Sequence, residues 1–457
     1  MAIVTQKKRR VFRITMYGLS IFLVFSIFFM PDYFGLSVIN SQRATLILIW
    51  FMIFRNSKRR KDFLNIIKTF RYNTIILIYL FILFYTAVYR VSLSTIINPF
   101  VDQIAVLYTM IYLFRYELDT EKFLKIVITC AYVLTILGIT EYFFHGSIFS
   151  LMETIPGMAS IVVRSGQYRI MGPAHHALGY GLYLLIMFPI VCYDYRCRTI
   201  SLLNRFGLVV LIIINTFLTG SRSTLGLIVV ELVVIFLMSD KEAKKKVSLL
   251  GIYGIMIGSL IILVFYKTSM VQSFLVSVGL LFDTVFHTNI AESLGVNMQV
   301  YQWSNQYREY LPLIFKLDWI NPLVGRGYNY TFNWAYNGYW ISSIDNYYIN
   351  QYVKVAYPGL LIQIVFYLTF FILTIKNAYF RRSKLAQVLF YSFLFYFINI
   401  WWVDVLGTLD YIFTLFALIY AIDEKYTIVH HIKNSANLVT NTKGSLNIER
   451  NQYEAIQ

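Results

Sequence analysis

The chain has 457 residues, of which 58% are hydrophobic and only 14% are charged, and its formal net charge is +17. Soluble globular proteins carry roughly 25% charged residues, so this composition argues against a cytosolic enzyme. Apolar runs of about 20 residues recur along nearly the whole chain, and placing them in lipid leaves no basic face for nucleic acid. The composition therefore predicts an integral membrane protein.

The apolar segments follow one another with short polar connections. They are continuously apolar and do not alternate as barrel strands do, which indicates helices. The first follows a basic run at 7–10, as in a signal sequence, but its apolar stretch is too long for a signal core and no cleavage site follows it. We predict an all-α polytopic membrane protein with about twelve transmembrane helices, near 14–31, 40–54, 73–89, 96–114, 123–144, 177–193, 203–219, 224–238, 247–266, 349–375, 385–402 and 405–422.

The positive charges indicate how the chain is oriented in the membrane. With the N-terminus in the cytoplasm, 30 of the 40 Lys and Arg residues fall in short inner segments, as the positive-inside bias requires. We therefore predict a multi-pass protein of the cell (inner or plasma) membrane with both termini in the cytoplasm. The remaining cations are mostly Arg, whose guanidinium forks onto phosphate: Arg43, Arg90, Arg164, Arg169, Arg222, Lys267, Arg308, Lys316, Arg326 and Lys354.

Residues 1–422 are predicted to form a single transmembrane domain, followed by a polar, loosely ordered cytoplasmic tail at 423–457. Two outer loops are long, at 145–176 and 267–348. The second has 82 residues and lies before the tenth helix. It is rich in Trp and Tyr, whereas disordered segments are poor in aromatic residues, so we expect it to be folded.

The segment LTGSRST at 218–224 lies at the outer end of the seventh apolar segment. A turn at Gly220 and Ser221 reverses the chain into the eighth segment, with Arg222 at its tip. The Ser221 hydroxyl and the first amides of the next helix would point to the same place, which predicts an anion site that faces outward. The alternative is that Arg222 is an interfacial anchor that reaches the lipid headgroups.

A second segment, RSGQYRIMGPAHHALGYG at 164–181, contains Arg164, Arg169 and two adjacent histidines. His175 and His176 would point to different faces of a helix, which argues against a shared metal site. One of them could act as a base, because the ordinary pKa of histidine is about 6.5. The alternative is that both form hydrogen bonds at the end of the helix.

A third segment joins NPLVGRGYNY to DNYYINQYVKVAYPGLL within 321–361. The glycines that flank Arg326 would let the backbone approach a ligand closely. Asp345 stands just before the tenth helix, and Lys354 lies about two turns inside it. A charged residue within a span is a candidate functional residue, with buried charge pairing as the alternative.

The late outer loop also offers aromatic side chains that could bind glycan. Trp334, Trp340 and Tyr328 have flat faces that can stack on sugar rings. Tyr and Trp also form belts at membrane interfaces, which need no ligand. The aromatic residues alone do not decide between these interpretations.

These segments, in this order, resemble motifs of the O-antigen polymerase and ligase superfamily, the Wzy-type membrane glycosyltransferases. The resemblance covers 160–375 and rests on R-x-x-G-P-x-H-H at 169–176, L-T-G-S-R-S-T at 218–224, and N-P-L-x-G-x-G with D-N-Y-Y at 321–348. It implies a GT-C-like fold and transfer of a glycan from undecaprenyl diphosphate to an acceptor hydroxyl on the outer face of the membrane, without a metal or cofactor.

The resemblance also implies roles for residues. Arg222 and Arg169, with Ser221, would bind the diphosphate and stabilise the charge that develops on it as the leaving group. Arg164 and Arg326 would assist them. The aromatic side chains named above would bind glycan.

The acceptor hydroxyl needs a general base, for which Asp345 is the first candidate and His176 the second. Ligases of this family typically have a His before the Asn of the late motif, where this chain has Asp345. This difference favours a polymerase for capsule, exopolysaccharide or O-antigen over an O-antigen ligase that transfers to lipid A-core.

The partners implied are an undecaprenyl-diphosphate-linked oligosaccharide and membrane lipid, with a chain-length regulator and a flippase as further partners. The main rival hypothesis is a lipid-linked oligosaccharide flippase or another twelve-helix transporter. Such carriers usually contain internal repeats, and none is visible in this chain. A non-catalytic assembly factor is the third hypothesis, which the arginines of the outer face disfavour.

Overall fold

The computed structural model describes residues 15–36, 39–155, 163–164, 167–295 and 306–443. The chain is mostly helical, with 73% helix. In chain order the helices are α1 (Met16–Phe28), α2 (Ser41–Arg55), α3 (Ser57–Thr69), α4 (Asn73–Arg90), α5 (Ser94–Tyr116), α6 (Thr120–Phe144), α7 (Ala177–Val191), α8 (Phe206–Leu218), α9 (Arg222–Met238), α10 (Lys241–Phe265), α11 (Ser269–Phe286), α12 (Ile290–Ser293), α13 (Tyr347–Ile375), α14 (Lys384–Asn399) and α15 (Leu409–Lys443).

The strands of the described residues form short antiparallel pairs in the connections between helices. A 3-10 helix, Leu311–Lys316, also lies in the long connection between α12 and α13. The strand pairs are β1 (Gly35–Leu36) with β2 (Ile39–Asn40), β3 (Val163–Arg164) with β4 (Gln167–Tyr168), β5 (Tyr193–Asp194) with β6 (Thr199–Ile200), and β7 (Trp334–Tyr336) with β8 (Tyr339–Ile341).

Among the described residues, each of the predicted apolar segments overlaps a helix of its own: α1, α2, α4 to α10, and α13 to α15. Within the described ranges, five of them are long and apolar enough to cross a membrane, namely α4, α5, α6, α10 and α13. Others, such as α1, α7 and α8, are shorter apolar helices. The apolar helices indicate a mainly helical membrane protein, while the number of twelve spans stays a prediction.

Contacts between parts of the chain that are distant in sequence divide the helix ends into two groups. At one end, which we call the basic end because Lys- and Arg-rich connections lie there, Arg115 forms an ion pair with Glu424. At the opposite end, which we call the long-loop end, the His175 ring lies 2.6 Å from the Asp32 carboxylate. The connections that follow α6 and α10, which the sequence predicts as long loops, both belong to the long-loop end.

Helix α15 continues beyond the predicted domain boundary at 422 as far as Lys443, the last described residue. Its Asp423 is buried, and Arg381 binds this carboxylate at 2.6 Å, while Asn377 donates a further hydrogen bond to it. The first part of the predicted tail is therefore helical and is joined to the bundle at its start. Residues 444–457 lie outside the described part of the chain.

Helices α7 and α10 show opposite environments. Nearly every residue of α7 is buried, and the helix packs against α14, α9 and α8. A helix that is apolar on all faces is expected at such a central position. By contrast, α10 has no buried residue, although it is one of the helices suited to crossing a membrane. The segment 164–181 leads into this central helix α7, and the segment 218–224 leads into α9, which packs against α7.

Helix α13 is broken at Ala356, whose φ of 57° and ψ of −172° lie far from helical values. Pro358, two residues after Ala356, explains the break. A proline has no amide hydrogen, so it cannot donate to the carbonyl of Lys354, four residues before it. The Gly327 amide donates to that carbonyl instead, at 2.9 Å. The loop at 321–328 therefore supplies a hydrogen bond that the helix itself lacks.

Candidate arginine cleft at the long-loop end

Arg169 lies in the segment between β4 and α7 and is 6% exposed. Its Nε donates to the carbonyl of Thr219, just after α8, at 2.6 Å. The next residue, Gly220, has a φ of +60°, and a Cβ atom there would lie 3.1 Å from the Arg169 Nε. Both the positive φ and the close approach of Arg169 therefore require a glycine at this position. The structure thus brings the segment 164–181 against the turn of the segment 218–224.

Glu141, in the last turn of α6, holds the Arg169 segment in place. Its carboxylate accepts from the amides of Met171 and Gly172 at 2.8 and 3.0 Å, and from the Tyr168 hydroxyl at 3.1 Å. The side chain is 2% exposed. Glu141 therefore acts as a positioning residue for Arg169, a role that the sequence did not reveal, since it showed only an acid within a span.

Glu141→Gln is expected to loosen this segment. The amide group of Gln turns one acceptor into a donor, so a buried backbone amide loses its partner at a cost of about 2 kcal/mol. A lower melting temperature of the purified protein than that of wild type is the expected result. Glu121→Gln is the matched control, because Glu121 lies on the same helix but is exposed. Equal melting temperatures for Glu141→Gln and wild type would contradict the positioning role.

Ser221 is the N-cap residue of α9 and is 3% exposed. Its hydroxyl accepts from the Thr224 amide at 3.5 Å and shares a hydrogen bond of 2.8 Å with the Thr224 hydroxyl. Asn399, the last residue of α14, donates to the same Thr224 hydroxyl at 3.1 Å. The Ser221 hydroxyl is thus engaged in capping the helix, and its direct binding of diphosphate stays a prediction.

Arg169 and Arg222 line one cleft, which we call the arginine cleft. It has a volume of about 520 Å³, including space open to solvent, and α11 forms its opposite wall through Ser277 and its neighbours. A second cavity of about 920 Å³ adjoins it, shares Arg169 and Phe217 with it, and is mainly apolar, with Phe274 of α11 in its wall. A cationic cleft beside an apolar cavity suits an amphiphile with an anionic head.

The segment 321–361 is joined to the segment 218–224 through residues at the end of α14. Asn346 caps α13 and donates to the Trp401 carbonyl at 2.8 Å, while the Tyr347 amide donates to the Ile400 carbonyl at 3.0 Å. Both acceptors directly follow α14, whose last residue binds the start of α9. Asp345, the residue before this cap, is half-buried and accepts from Ser343 at 3.2 Å.

A second carboxylate, Asp404, lies in electrostatic contact with Asp345. Its oxygens accept from the Asn350 amide at 2.7 Å and from the Val405 backbone at 2.9 Å. Burial raises the pKa of Asp404 above the ordinary value, and the nearby Asp345 charge adds to this, while the Lys354 ammonium opposes it. Asp404 comes 59 positions after Asp345, so the spacing of the two residues in the sequence did not indicate that they lie near each other.

Arg326 belongs to a different cluster. Its guanidinium lies 5.2 Å from the Trp319 ring centre and 5.5 Å from that of Tyr330, and it donates to the Trp319 carbonyl. Among the described residues, those that line the arginine cleft and the apolar cavity beside it do not include Arg326. The structure therefore does not bring Arg326 into the arginine cleft.

The predicted glycan-binding aromatic residues occupy two environments. Trp334 and Trp340 lie on the β7–β8 hairpin, and Trp340 is 68% exposed. Tyr328 instead faces the interior: its hydroxyl donates to Gln351 at 3.0 Å, and the Lys354 ammonium lies 5.2 Å from its ring centre. An exposed hairpin is open to a glycan, whereas the Tyr328 ring already has a partner within the protein.

The two histidines have different partners. His176 is the N-cap residue of α7, where its Nδ1 accepts from the Leu178 amide at 3.1 Å, which fits the alternative of hydrogen bonding at a helix end. His175 contacts Asp32. Only the backbone of Arg164 is described, as part of β3, and the side chain that was predicted to assist phosphate binding lies outside the described residues.

The long-loop end thus combines two arginines, the N-terminus of α9 and two carboxylates. In the ranges that the structure describes, no group of three or more His, Cys, Asp or Glu residues could hold a metal ion. No known protein family matches the chain, and no curated protein is significantly similar to it.

Proposed function

We propose that the chain is a polysaccharide polymerase of the O-antigen polymerase and ligase type. It transfers a glycan from undecaprenyl diphosphate to a lipid-linked acceptor repeat unit, for capsule, exopolysaccharide or O-antigen. The observation that carries the proposal is the arginine cleft, where Arg169 and Arg222 from two separate motifs line one space beside an apolar cavity. A polyprenyl diphosphate has the matching chemistry, an anionic head on an apolar chain.

In the proposed reaction, the acceptor hydroxyl oxygen attacks the anomeric carbon of the donor glycan. The bond from that carbon to the diphosphate oxygen breaks, and the diphosphate leaves with the electron pair. Arg169 and Arg222, with the N-terminus of α9, stabilise the negative charge that grows on the leaving group. The hydroxyl proton passes to a general base, so that charge and atoms balance.

Asp345 is the first candidate for this base. It stands at the long-loop end, outside the helices, and is partly open to solvent. Its neighbour Asp404 is held by two hydrogen bonds, and a carboxylate pair in unequal surroundings can divide proton acceptance and charge stabilisation between its members. His176, the second candidate, uses its Nδ1 to cap α7.

Asp345→Asn is expected to lower the rate of glycan transfer about 100-fold or more, because an amide cannot accept the proton. The measurement is the initial rate of glycan transfer by the purified variant and by purified wild type under the same conditions. Asp318→Asn, at an exposed position of the same connection, is the control. Unaltered turnover in Asp345→Asn would assign the base to another residue.

The charge distribution supports an orientation with the long-loop end outside the cell. Connections rich in Lys and Arg lie at the basic end, and the positive-inside bias places such connections in the cytoplasm. Helix α3 adds five cations, Lys58, Arg59, Arg60, Lys61 and Lys68, to the same end, where the anionic lipids of the inner leaflet would attract them. Both termini are then cytoplasmic, and glycan transfer takes place on the outer face.

One observation favours the rival hypothesis of a transporter. Helix α13 is interrupted at Ala356, and interrupted membrane helices are common at the substrate sites of secondary transporters. The interruption is, however, filled by the 321–328 loop, whose amides occupy the carbonyls that the break leaves open. An O-antigen ligase that transfers to lipid A-core would use the same arginine cleft, and the acceptor distinguishes it from a polymerase.

A further inference from the structure

A further pocket at the long-loop end is separate from the arginine cleft and from the apolar cavity beside it. It has a volume of about 400 Å³, including space open to solvent, and we call it the Ser26 pocket. Its walls come from the end of α1, the start of α2, the turn before α7 and the start of α15. The segment that carries Arg169 continues into this pocket through Pro173 and Ala174, so one short segment contributes to both the cleft and the pocket.

One buried polar side chain in the pocket wall has no hydrogen-bond partner within the part of the chain that the structure describes. Ser26 is 3% exposed, and its hydroxyl makes no hydrogen bond there. Gln42, which is 6% exposed, lines the same wall. Burying a hydroxyl without a partner is unfavourable, which indicates that a bound molecule supplies the missing hydrogen bond.

The carboxylates of the pocket define the charge of that molecule. Asp32 and Asp410 both line the wall. The arginine that lies nearby, Arg43, is committed to Asp102, with an N–O distance of 2.6 Å. The His175 ring lies 2.6 Å from the Asp32 carboxylate. With two carboxylates and no Lys or Arg in its wall, the pocket disfavours a diphosphate.

The polar groups of the pocket suit a molecule rich in hydroxyls. A sugar hydroxyl both donates and accepts: it can donate to the carboxylates of Asp32 and Asp410 and accept from the amide of Gln42 or the hydroxyl of Ser26. Pockets that bind small molecules commonly combine an apolar body with a few such groups, and Tyr411 and Ile27 supply apolar surface in this wall.

We propose that the Ser26 pocket binds a sugar of the acceptor repeat unit through its hydroxyl groups. The proposal rests on the proposed function and deepens it, since it assigns the acceptor to one side of the Arg169 segment and the donor diphosphate to the other. The Ser26 pocket would then determine which acceptor is used, because a pocket that forms hydrogen bonds with hydroxyl groups rejects sugars that lack these groups.

The test measures glycan transfer by the purified full-length chain in proteoliposomes. The donor is preformed undecaprenyl-linked polymer at a saturating concentration, and the varied acceptor is the repeat unit on a short-chain prenyl diphosphate. Ser26→Ala is expected to raise the half-saturating acceptor concentration about threefold to tenfold, and Gln42→Leu about tenfold or more. The dependence on donor should not change in either variant.

Ser20→Ala is the matched control, because Ser20 is buried in the same helix but donates to the Met16 carbonyl at 2.8 Å. It should behave as wild type. If Gln42→Leu does not accumulate in the membrane, Ser26→Ala, which removes a single oxygen atom, carries the test alone.

The outcomes separate the two proposals. If wild type transfers glycan but both variants keep the wild-type dependence on acceptor, the Ser26 pocket is not the acceptor site, and the proposed function stands. Restoration of a defective variant by added Na⁺ or Ca²⁺ would identify a cation site and overturn the sugar proposal. If wild type transfers no glycan to any acceptor, the proposed function itself fails.

Discussion

Arg222→Ala is expected to abolish long polymer, with transfer reduced about 100-fold to 1,000-fold, the range typical for loss of one group that stabilises a leaving or attacking oxygen. The protein should remain in the membrane, because the side-chain cap of α9 is made by Ser221, which the substitution leaves in place. The measurement is polysaccharide length on gels, together with the amount of variant in membrane fractions.

Arg222→Lys should restore little of the activity. An ammonium group is a point charge and cannot donate in the bidentate geometry by which a guanidinium binds phosphate. Lys267→Ala, which removes an exposed cation directly after α10 at the same end of the protein, is the control for a general loss of charge and should leave polymer length unchanged. Full-length polysaccharide from Arg222→Ala would remove Arg222 from the diphosphate site.

Gly325→Ala is expected to destabilise the protein severely. A Cβ atom at this position would lie 2.0 Å from the Lys354 carbonyl oxygen and 2.5 Å from the Val355 nitrogen, which are backbone atoms that cannot move aside independently. The loop would be displaced from the break in α13, with loss of the bond from the Arg326 amide to the Val353 carbonyl. We expect a loss of roughly 3–5 kcal/mol in stability, measured as a lower melting temperature in detergent.

The control for this substitution is Gly207→Ala. Gly207 lies in the first turn of α8, and a Cβ atom there meets nothing within 4 Å. Because Ala favours the helix more than Gly does, the melting temperature should stay the same or rise slightly. A Gly325→Ala protein as stable as wild type would show that the loop does not pack closely against α13.

The helices of this protein were predictable because a continuous apolar run carries its own signal. Each predicted segment overlaps a helix, although several helices begin or end a few residues inside the predicted bounds and residues 423–443 extend the last helix into the predicted tail. The break in α13 had a local signal in Pro358 and Gly359, but a proline within an apolar run does not by itself tell whether the helix bends or is interrupted. The answer depends on the 321–328 loop, which is distant in sequence.

The site was predictable where one short segment determines it. The turn at Gly220 and the placing of Arg222 at the start of α9 follow from local sequence. The support that Glu141 gives to Arg169, and the nearness of Asp404 to Asp345, depend on the packing of segments far apart in sequence, so they could not be read from spacing. Similarly, Arg326 stands in a glycine-rich loop that fits a ligand site, yet its guanidinium packs between two aromatic rings.

No clear pattern in the sequence indicated that α11 forms a wall of the arginine cleft. The sequence predicts only that the long loop is folded. Ser269–Phe286 is a helix, and residues such as Phe274 and Ser277 line the cleft and its apolar neighbour. Apolar residues at helical spacing fit a surface-bound helix and a cavity wall equally well, so packing alone decides between them.

The most direct test of the proposed function is reconstitution of the purified chain in liposomes that contain undecaprenyl-diphosphate-linked repeat units and no other protein. A polymerase should convert these units into a ladder of longer lipid-linked glycans and release undecaprenyl diphosphate in equal number to the linkages formed. Units that cross the bilayer without any increase in glycan length would contradict the account and identify a flippase.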